Sequence, residues 1–168
     1  MMEKIIDDIV RWLKEQVKDA GLKGLIVGLS GGLDSAVVAY LIQRAFPNNS
    51  LAVKMPLYSN PIDMKHADLV IQGCQIDSMT IDLTETHQML LTQINNELSS
   101  RKENYETAEQ LADANLRARL RMSTLYTLAT YYQYLVVGTD NASEWYTGYF
   151  TKYGDGGVDL LPIVSLTK

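Results

Sequence analysis

Apolar residues recur along this chain with two alternating patterns. Ile5, Ile6, Ile9, Trp12, Leu13 and Val17 fall at three- and four-residue steps, which predicts an amphipathic helix over residues 2–20. Gly21 and Gly24 bracket its exit. A continuous apolar run predicts a buried strand over 24–29, and Ala36-Val37-Val38-Ala39-Tyr40-Leu41 carries a second helix over about 34–46, closed by Pro47-Asn48-Asn49. The alternation continues with a strand over 51–55, a turn-rich 56–61, a helix over about 62–72, a strand over 76–81 and a helix over about 84–98. Residues 99–104 are polar and read as exposed. A long helical pattern then covers about 107–132, and 134–138 reads as a fourth strand. The stretch beyond is rich in Gly, Tyr and Thr and has little periodicity before Leu160-Leu161-Pro162-Ile163-Val164.

Strands alternating with helices imply right-handed crossovers, hence an α/β class with a doubly wound parallel sheet flanked by helices. No internal repeat or low-complexity segment interrupts the pattern, and 168 residues suffice for one domain with its own core. In such sheets ligands bind beyond the carboxyl ends of the strands, where strand order reverses. The first strand runs into Ser30-Gly31-Gly32 and the fourth into Gly138-Thr139-Asp140. If the two are neighbours, both turns face one crevice, and Asp34 and Glu144 can share a metal. The chain reaches Lys168 just as another segment begins, so residues 1–168 are expected to form a single domain that lacks its C-terminal segment.

Composition narrows the partners. The hydrophobic fraction of 46% is ordinary for a globular protein, and no apolar run is long enough to span a bilayer. The formal charge of −5 argues against a nucleic-acid groove. The mixed charges of the first residues do not resemble a secretory signal. A single cysteine, Cys74, excludes an internal disulfide and fits a reducing cytoplasm; it reads as a small buried apolar side chain.

The chemistry concentrates at Gly28-Leu29-Ser30-Gly31-Gly32-Leu33-Asp34-Ser35. A small-residue turn between strand and helix leaves backbone N–H groups unhindered, next to the positive end of the helix dipole. That is a seat for phosphate or pyrophosphate. Ser30 and Ser35 add hydroxyls. Asp34 repels phosphate unless a divalent cation lies between them, so the pattern asks for a magnesium–nucleotide complex. The turn is neither a Walker A loop, since no Lys follows, nor the dinucleotide GxGxxG. Gly28-Leu29-Ser30-Gly31-Gly32 also satisfies the GxSxG nucleophile elbow of α/β-hydrolases, with Ser30 as nucleophile; that rival needs a late histidine, and His66 and His87 are both early.

Three further segments carry less specific signals. Gly138-Thr139-Asp140-Asn141-Ala142-Ser143-Glu144 suits ribose or metal contact, or equally a helix start capped by Asp140 or Ser143. Phe150-Thr151-Lys152-Tyr153-Gly154-Asp155-Gly156-Gly157 reads as a mobile Gly-rich loop bearing one cation and one anion. In Asn115-Leu116-Arg117-Ala118-Arg119-Leu120-Arg121-Met122, Arg117 and Arg121 share a helix face while Arg119 points elsewhere, giving either a solvated basic face or an anion clamp. Tyr126, Tyr131, Tyr132 and Tyr134 read as core or interface aromatics, and His66 and His87 as surface helix residues.

Ser30-Gly31-Gly32-Leu33-Asp34-Ser35 matches the SGGxDS signature of the PP-loop ATP pyrophosphatases. Together with N-x-x-A-R-x-R-M, G-T-D-x-A-x-E and F-T-K-Y-G-D-G-G, it makes nearly the whole chain resemble the ammonia-dependent NAD synthetase family. That resemblance implies an adenine nucleotide alpha hydrolase-like (Rossmann-like) fold. It implies a ligase that adenylates the nicotinate carboxylate of deamido-NAD with ATP and Mg²⁺, releases pyrophosphate, and lets ammonia displace AMP to give NAD. By this resemblance Gly28, Leu29, Ser30, Gly31, Gly32, Leu33, Asp34 and Ser35 match the ATP loop, with Thr139 and Lys168 as further ATP contacts. Asp34 and Glu144 match the metal ligands. Arg119, Lys152 and Asp159 match positions that hold deamido-NAD, and Asp155 matches the carboxylate near the ammonia site. Lys54 and Asn60 stand where many members carry Arg and Gln. The resemblance further implies a homodimer with deamido-NAD across its interface, and no nucleic-acid or membrane partner. With nothing before the first helix, free ammonia is the expected nitrogen source.

Residue chemistry supplies roles for three of these positions. Lys152 or Lys168 can stabilise charge at the pentavalent phosphorus, and Asp155 can accept a proton from ammonium. The competing readings are another PP-loop adenylating enzyme, a nucleotide-binding protein without catalysis, and a serine hydrolase using Ser30.

Overall fold

The computed structural model describes residues 2–101 and 106–168. The elements in chain order are α1 (Met2–Asp19), β1 (Gly24–Gly28), α2 (Leu33–Ala45), β2 (Ser50–Lys54), α3 (Pro61–Cys74), β3 (Asp77–Thr80), α4 (Thr84–Ser99), α5 (Glu106–Tyr132), β4 (Tyr134–Val137) and α6 (Ala142–Thr147). Residues 102–104 of the polar segment expected to be exposed lie outside the described residues.

The four strands form one parallel sheet in the order β3-β2-β1-β4. β1 is therefore central, and its two neighbours lie on opposite sides of it. The chain moves outward through α2 to β2 and α3 to β3. It returns through α4 and α5 to place β4 on the other flank of β1. That reversal sets the crevice between β1 and β4, as the alternating pattern predicts.

Residue alternation assigns each side chain of the sheet to one of two cores. Leu25 and Val27 of β1, Ala52 of β2 and Val137 of β4 face one core, where Leu13 and Val17 of α1, Val38, Ala39 and Ile42 of α2 and Ala67 of α3 pack. Ile26, Leu51, Val53 and Val136 face the other, against Leu125 and Ala129 of α5. Burial on both faces explains why these strands are continuous apolar runs rather than alternating ones. The sheet-to-helix connections at the carboxyl ends of β1 and β4 are thus anchored from both layers.

One short element is left open by the sequence, which offers a helix start there as one of two readings. α6 spans six residues, too few to show a helical period, yet Asn141 and Glu144 form a capping box at its start. Neither Asp140 nor Ser143 is the cap: the Asn141 side chain accepts hydrogen bonds from the amides of Ser143 (2.9 Å) and Glu144 (3.1 Å). His87 is corrected as well. It is 1% exposed, not on the surface, with Nε2 2.7 Å from Asp113 Oδ1. Tyr131, read as a core or interface aromatic, is 82% exposed. Cys74 is buried as expected, its thiol donating to the Val70 carbonyl.

Candidate active site

Beyond β1 the chain makes the predicted tight turn. Gly31 adopts a φ of +88°, and a Cβ there would come within 2.1 Å of the Asp63 carbonyl oxygen. Only glycine fits both the left-handed conformation and the approach of the α3 backbone. The turn is knitted by hydroxyls. Ser35 Oγ donates to the Gly32 carbonyl (2.9 Å), lies 3.0 Å from Ser30 Oγ, and accepts from the Ser30 amide (3.3 Å). Ser30 Oγ accepts from the Gly32 amide (3.2 Å). Gly32 is the N-cap of α2 and supplies no side-chain cap. The first-turn amides of α2 therefore keep donors for an anion. The nucleophile-elbow alternative finds no support: the hydroxyl of Ser30 is engaged with Ser35 and Gly32, His66 is exposed on α3, and His87 faces Asp113.

The turn after β4 faces the same crevice. Lys168 brings the two acidic residues together. Its ammonium lies 2.8 Å from Asp34 Oδ2 and 4.0 Å from Glu144 Oε1. The hydrogen bond to Asp34, then the charge of that carboxylate, raise the lysine's pKa against a small opposing effect of burial. Glu144 is aimed by the capping box: its Oε2 accepts from the Asn141 amide (3.2 Å), which leaves Oε1 toward the cation. Two carboxylates already gathered around one positive charge fit a divalent ion whose other ligands are phosphate oxygens and water. Among the described residues no group of three or more His, Cys, Asp or Glu is arranged to hold a metal unaided.

A cavity of about 450 Å³ opens beside the turn, lined by Gly28, Leu29 and Ser30, by Gly138 and Thr139, and by Thr151, Gly154 and Asp155. Asp155 Oδ1 accepts from the Thr151 amide (2.8 Å), and the Thr151 hydroxyl bonds Asn115 Oδ1 (2.8 Å). Asn115 of the long helix thus positions the loop that carries Asp155. Asp140, behind Thr139, is 4% exposed with an unpaired Oδ2 among the described residues. Burial first, then the charges of Asp155 and Glu144, push its pKa up to about 6. A carboxyl whose ionisation is held back by burial is a feature of proton-handling sites.

Arg119, Lys152 and Asp159 do not line this cavity. They lie on an exposed flank, where Arg119 Nε donates to the Lys152 carbonyl (3.3 Å). Asp159 accepts from the Tyr126 hydroxyl (2.9 Å) and from the Val136 amide (2.8 Å). Burial and Asp159 push the Tyr126 phenol up to about 12, so it stays a donor. Arg119 and Tyr126 are seven residues apart on α5 and share one face, which puts Asp159 on the same side as Arg119. Lys54 pairs with Asp68, and Asn60 caps α3 by accepting from the Ile62 amide (3.0 Å). The sequence assigns Asn115 and Asn141 no role of their own, and of these two only the Asn141–Glu144 spacing holds a readable signal; Asp140 reads as a helix cap or a ribose or metal contact, and Arg121 as part of a solvated basic face or an anion clamp.

The family model described as NAD synthase matches residues 5–168. The chain is 55% identical over 167 residues to an NH(3)-dependent NAD(+) synthetase of Alkaliphilus oremlandii, covering 99% of this chain and 67% of the relative. Among solved structures it is similar to an NMN synthetase from Francisella tularensis, at 36% identity and a TM-score of 0.88 over 100% of this chain and 66% of that one. It is also similar to an NH3-dependent NAD synthetase from Campylobacter jejuni solved with nitrate ion, at 32% identity and a TM-score of 0.84 over 100% of this chain and 69% of that one. The chain thus spans about two thirds of the length of these relatives.

Proposed function

The chain belongs to the NAD synthase family, and on that premise we propose that it amidates deamido-NAD with ammonia at the expense of ATP, releasing AMP and pyrophosphate. One observation carries the reading: Asp34 from the β1 turn and Glu144 from the β4 turn meet at a single cation beside an uncapped helix start. A phosphate seat and a cation seat in one crevice are what binding a metal–triphosphate requires.

The residues divide the work. The amides of the first turn of α2 hold the departing pyrophosphate, while those of Ser30 and Gly32 are engaged by the hydroxyls that shape the turn. Asp34 and Glu144 would hold Mg²⁺, which neutralises phosphate charge when bound. In the first step a nicotinate carboxylate oxygen bonds to the α-phosphorus, and the bond to pyrophosphate breaks. Lys168, beside the Asp34 and Glu144 carboxylates, stabilises the charge at phosphorus, and Thr139 lies on the cavity wall within reach of the nucleotide. In the second step ammonia attacks the acyl carbon and AMP leaves. Asp155, on the same wall, takes the proton from ammonium. Arg119, Lys152 and Asp159 on the flank bind deamido-NAD outside the ATP cavity. A homodimer supplying the second wall of that flank, and a cytoplasmic location, belong to the same proposal. No described helix is long and apolar enough to cross a membrane.

The Francisella relative is named for a mononucleotide product, so nicotinate mononucleotide is the competing acceptor. Incubating the chain with ATP, Mg²⁺, ammonium and either acceptor, then separating products, decides the matter. NAD and AMP in equal amounts support the proposal. NMN in preference to NAD transfers it to the mononucleotide, and absence of AMP with both acceptors contradicts it.

A further inference from the structure

The arginine pair on α5 is resolved by the structure into two unlike residues. Arg117 has a counter-ion within the protein, although its Nε has no hydrogen-bond partner among the described residues. Its guanidinium lies 2.6 Å from Asp113 Oδ2 and sits 5.3 Å over the Tyr58 ring. Arg121, one turn on, lines the main cavity with Val53, Met55, Met122, Leu125 and Val158. Its Nε donates to the Met55 carbonyl (3.2 Å). Among the described residues no carboxylate is paired with it. Asp155, also in the lining, accepts from the Thr151 amide, and Asp63 lies at the Gly31 turn.

Resting on the function proposed above, we infer that Arg121 is a binding residue for an anionic group of the substrates, received inside the cavity between the two turns. A guanidinium has five N–H donors in a planar fork, and one bond to a carbonyl leaves most of them unused. Removing such a charge from water without a counter-ion is costly. Burial first, then the like charge of Arg117, lower its pKa. A phosphate or carboxylate entering the cavity supplies the missing charge and matches the fork geometry. Two sources present that chemistry: the phosphates of ATP, and the carboxylate or phosphates of the pyridine nucleotide. Arg121 would bring either one toward the wall that carries Asp155, where the two substrates must meet.

Calorimetric titration of the whole chain with Mg–ATP, with deamido-NAD and with uncharged adenosine tests this. Arg121→Met is expected to weaken one of the two anionic ligands by about tenfold or more, with part of the loss regained in Arg121→Lys. Adenosine binding should stay within about twofold of the parent, because it brings no charge. The ligand that weakens identifies the source of the anion. Unchanged affinity for both anionic ligands overturns the inference, as does an equal loss for adenosine, which would mark Arg121 as a packing residue tied to Met55. If the Met variant does not fold, phenylglyoxal modification of the parent chain replaces it: ATP or deamido-NAD should protect Arg121, and modification unaffected by either is contrary. Pyrophosphate release by the parent chain keeps the outcomes separate. A parent that releases none but binds an anion through Arg121 loses the proposed reaction and keeps this residue's role.

Discussion

Lys168 holds two carboxylates that belong to opposite halves of the chain, and Asp155 and Asp140 stand on the wall beside them. The residue-scale account separates their duties. Asp155→Asn is expected to slow ammonia capture by at least about tenfold while pyrophosphate release changes less, since a lost general base removes roughly two or more powers of ten from the step it serves. Rapid-quench measurement of acyl-adenylate against NAD reads the two steps; equal slowing removes Asp155 from the ammonia step. Asp140 answers to pH. It keeps its proton up to about pH 6 in the folded chain, against a usual value of 3.8. Between those values the folded state holds more protons than the unfolded one, so stability falls as pH rises through the window. Urea unfolding in EDTA at pH 4 to 7 should show the parent losing up to about 3 kcal/mol relative to Asp140→Asn across it. Parallel pH profiles for the two proteins would contradict the assignment. Arg121, which the sequence leaves between a solvated basic face and an anion clamp, and His87 show what a sequence reading cannot decide. Arg117 and Arg121 have the same spacing on one face, but their surroundings come from Tyr58 and Asp113 in one case and from Met55 in the other. His87 is buried by the Tyr58 ring, 5.9 Å away, and by Asp113. Both belong to other elements, which helix periodicity cannot report.

At the scale of elements, the alternation of apolar runs located every long helix and all four strands to within a few residues. Burial on both faces made β1, β2 and β4 legible as unbroken apolar stretches, while the edge strand β3, Asp77–Thr80, is polar and largely exposed. The phosphate turn was equally legible, because its conformation is imposed by small residues that admit few alternatives. α6 was not, being shorter than two turns. The Gly31 turn carries the clearest element-scale consequence. Gly31→Ala forces a side chain into a φ of +88° and into the Asp63 carbonyl, with a stability loss of about 1–3 kcal/mol. It should also push α3 from the turn and weaken ATP binding. Denaturant midpoints and ATP titration check both effects. A variant as stable as the parent with full ATP affinity would show that α3 does not brace the turn.

For the whole molecule, the order β3-β2-β1-β4 does what no single motif can. It makes neighbours of two turns far apart in sequence, so that one supplies amide donors and Asp34 and the other supplies Glu144. The sequence pattern indicated that arrangement only on condition that β1 and β4 pair, and their parallel register of Ile26 with Val136 meets the condition. The flank of Arg119, Lys152 and Asp159 is assembled by α5 and the loop after β4, and its position outside the cavity was not readable from spacing. The central claim is that both acidic residues hold one divalent ion against a bound triphosphate. Electron paramagnetic resonance of Mn²⁺ titrated into the chain with a non-hydrolysable ATP analogue tests it most directly. The account predicts a nucleotide-dependent Mn²⁺ site in the parent that is lost in both Asp34→Asn and Glu144→Gln, with circular dichroism unchanged. Full Mn²⁺ occupancy in either folded variant would contradict it.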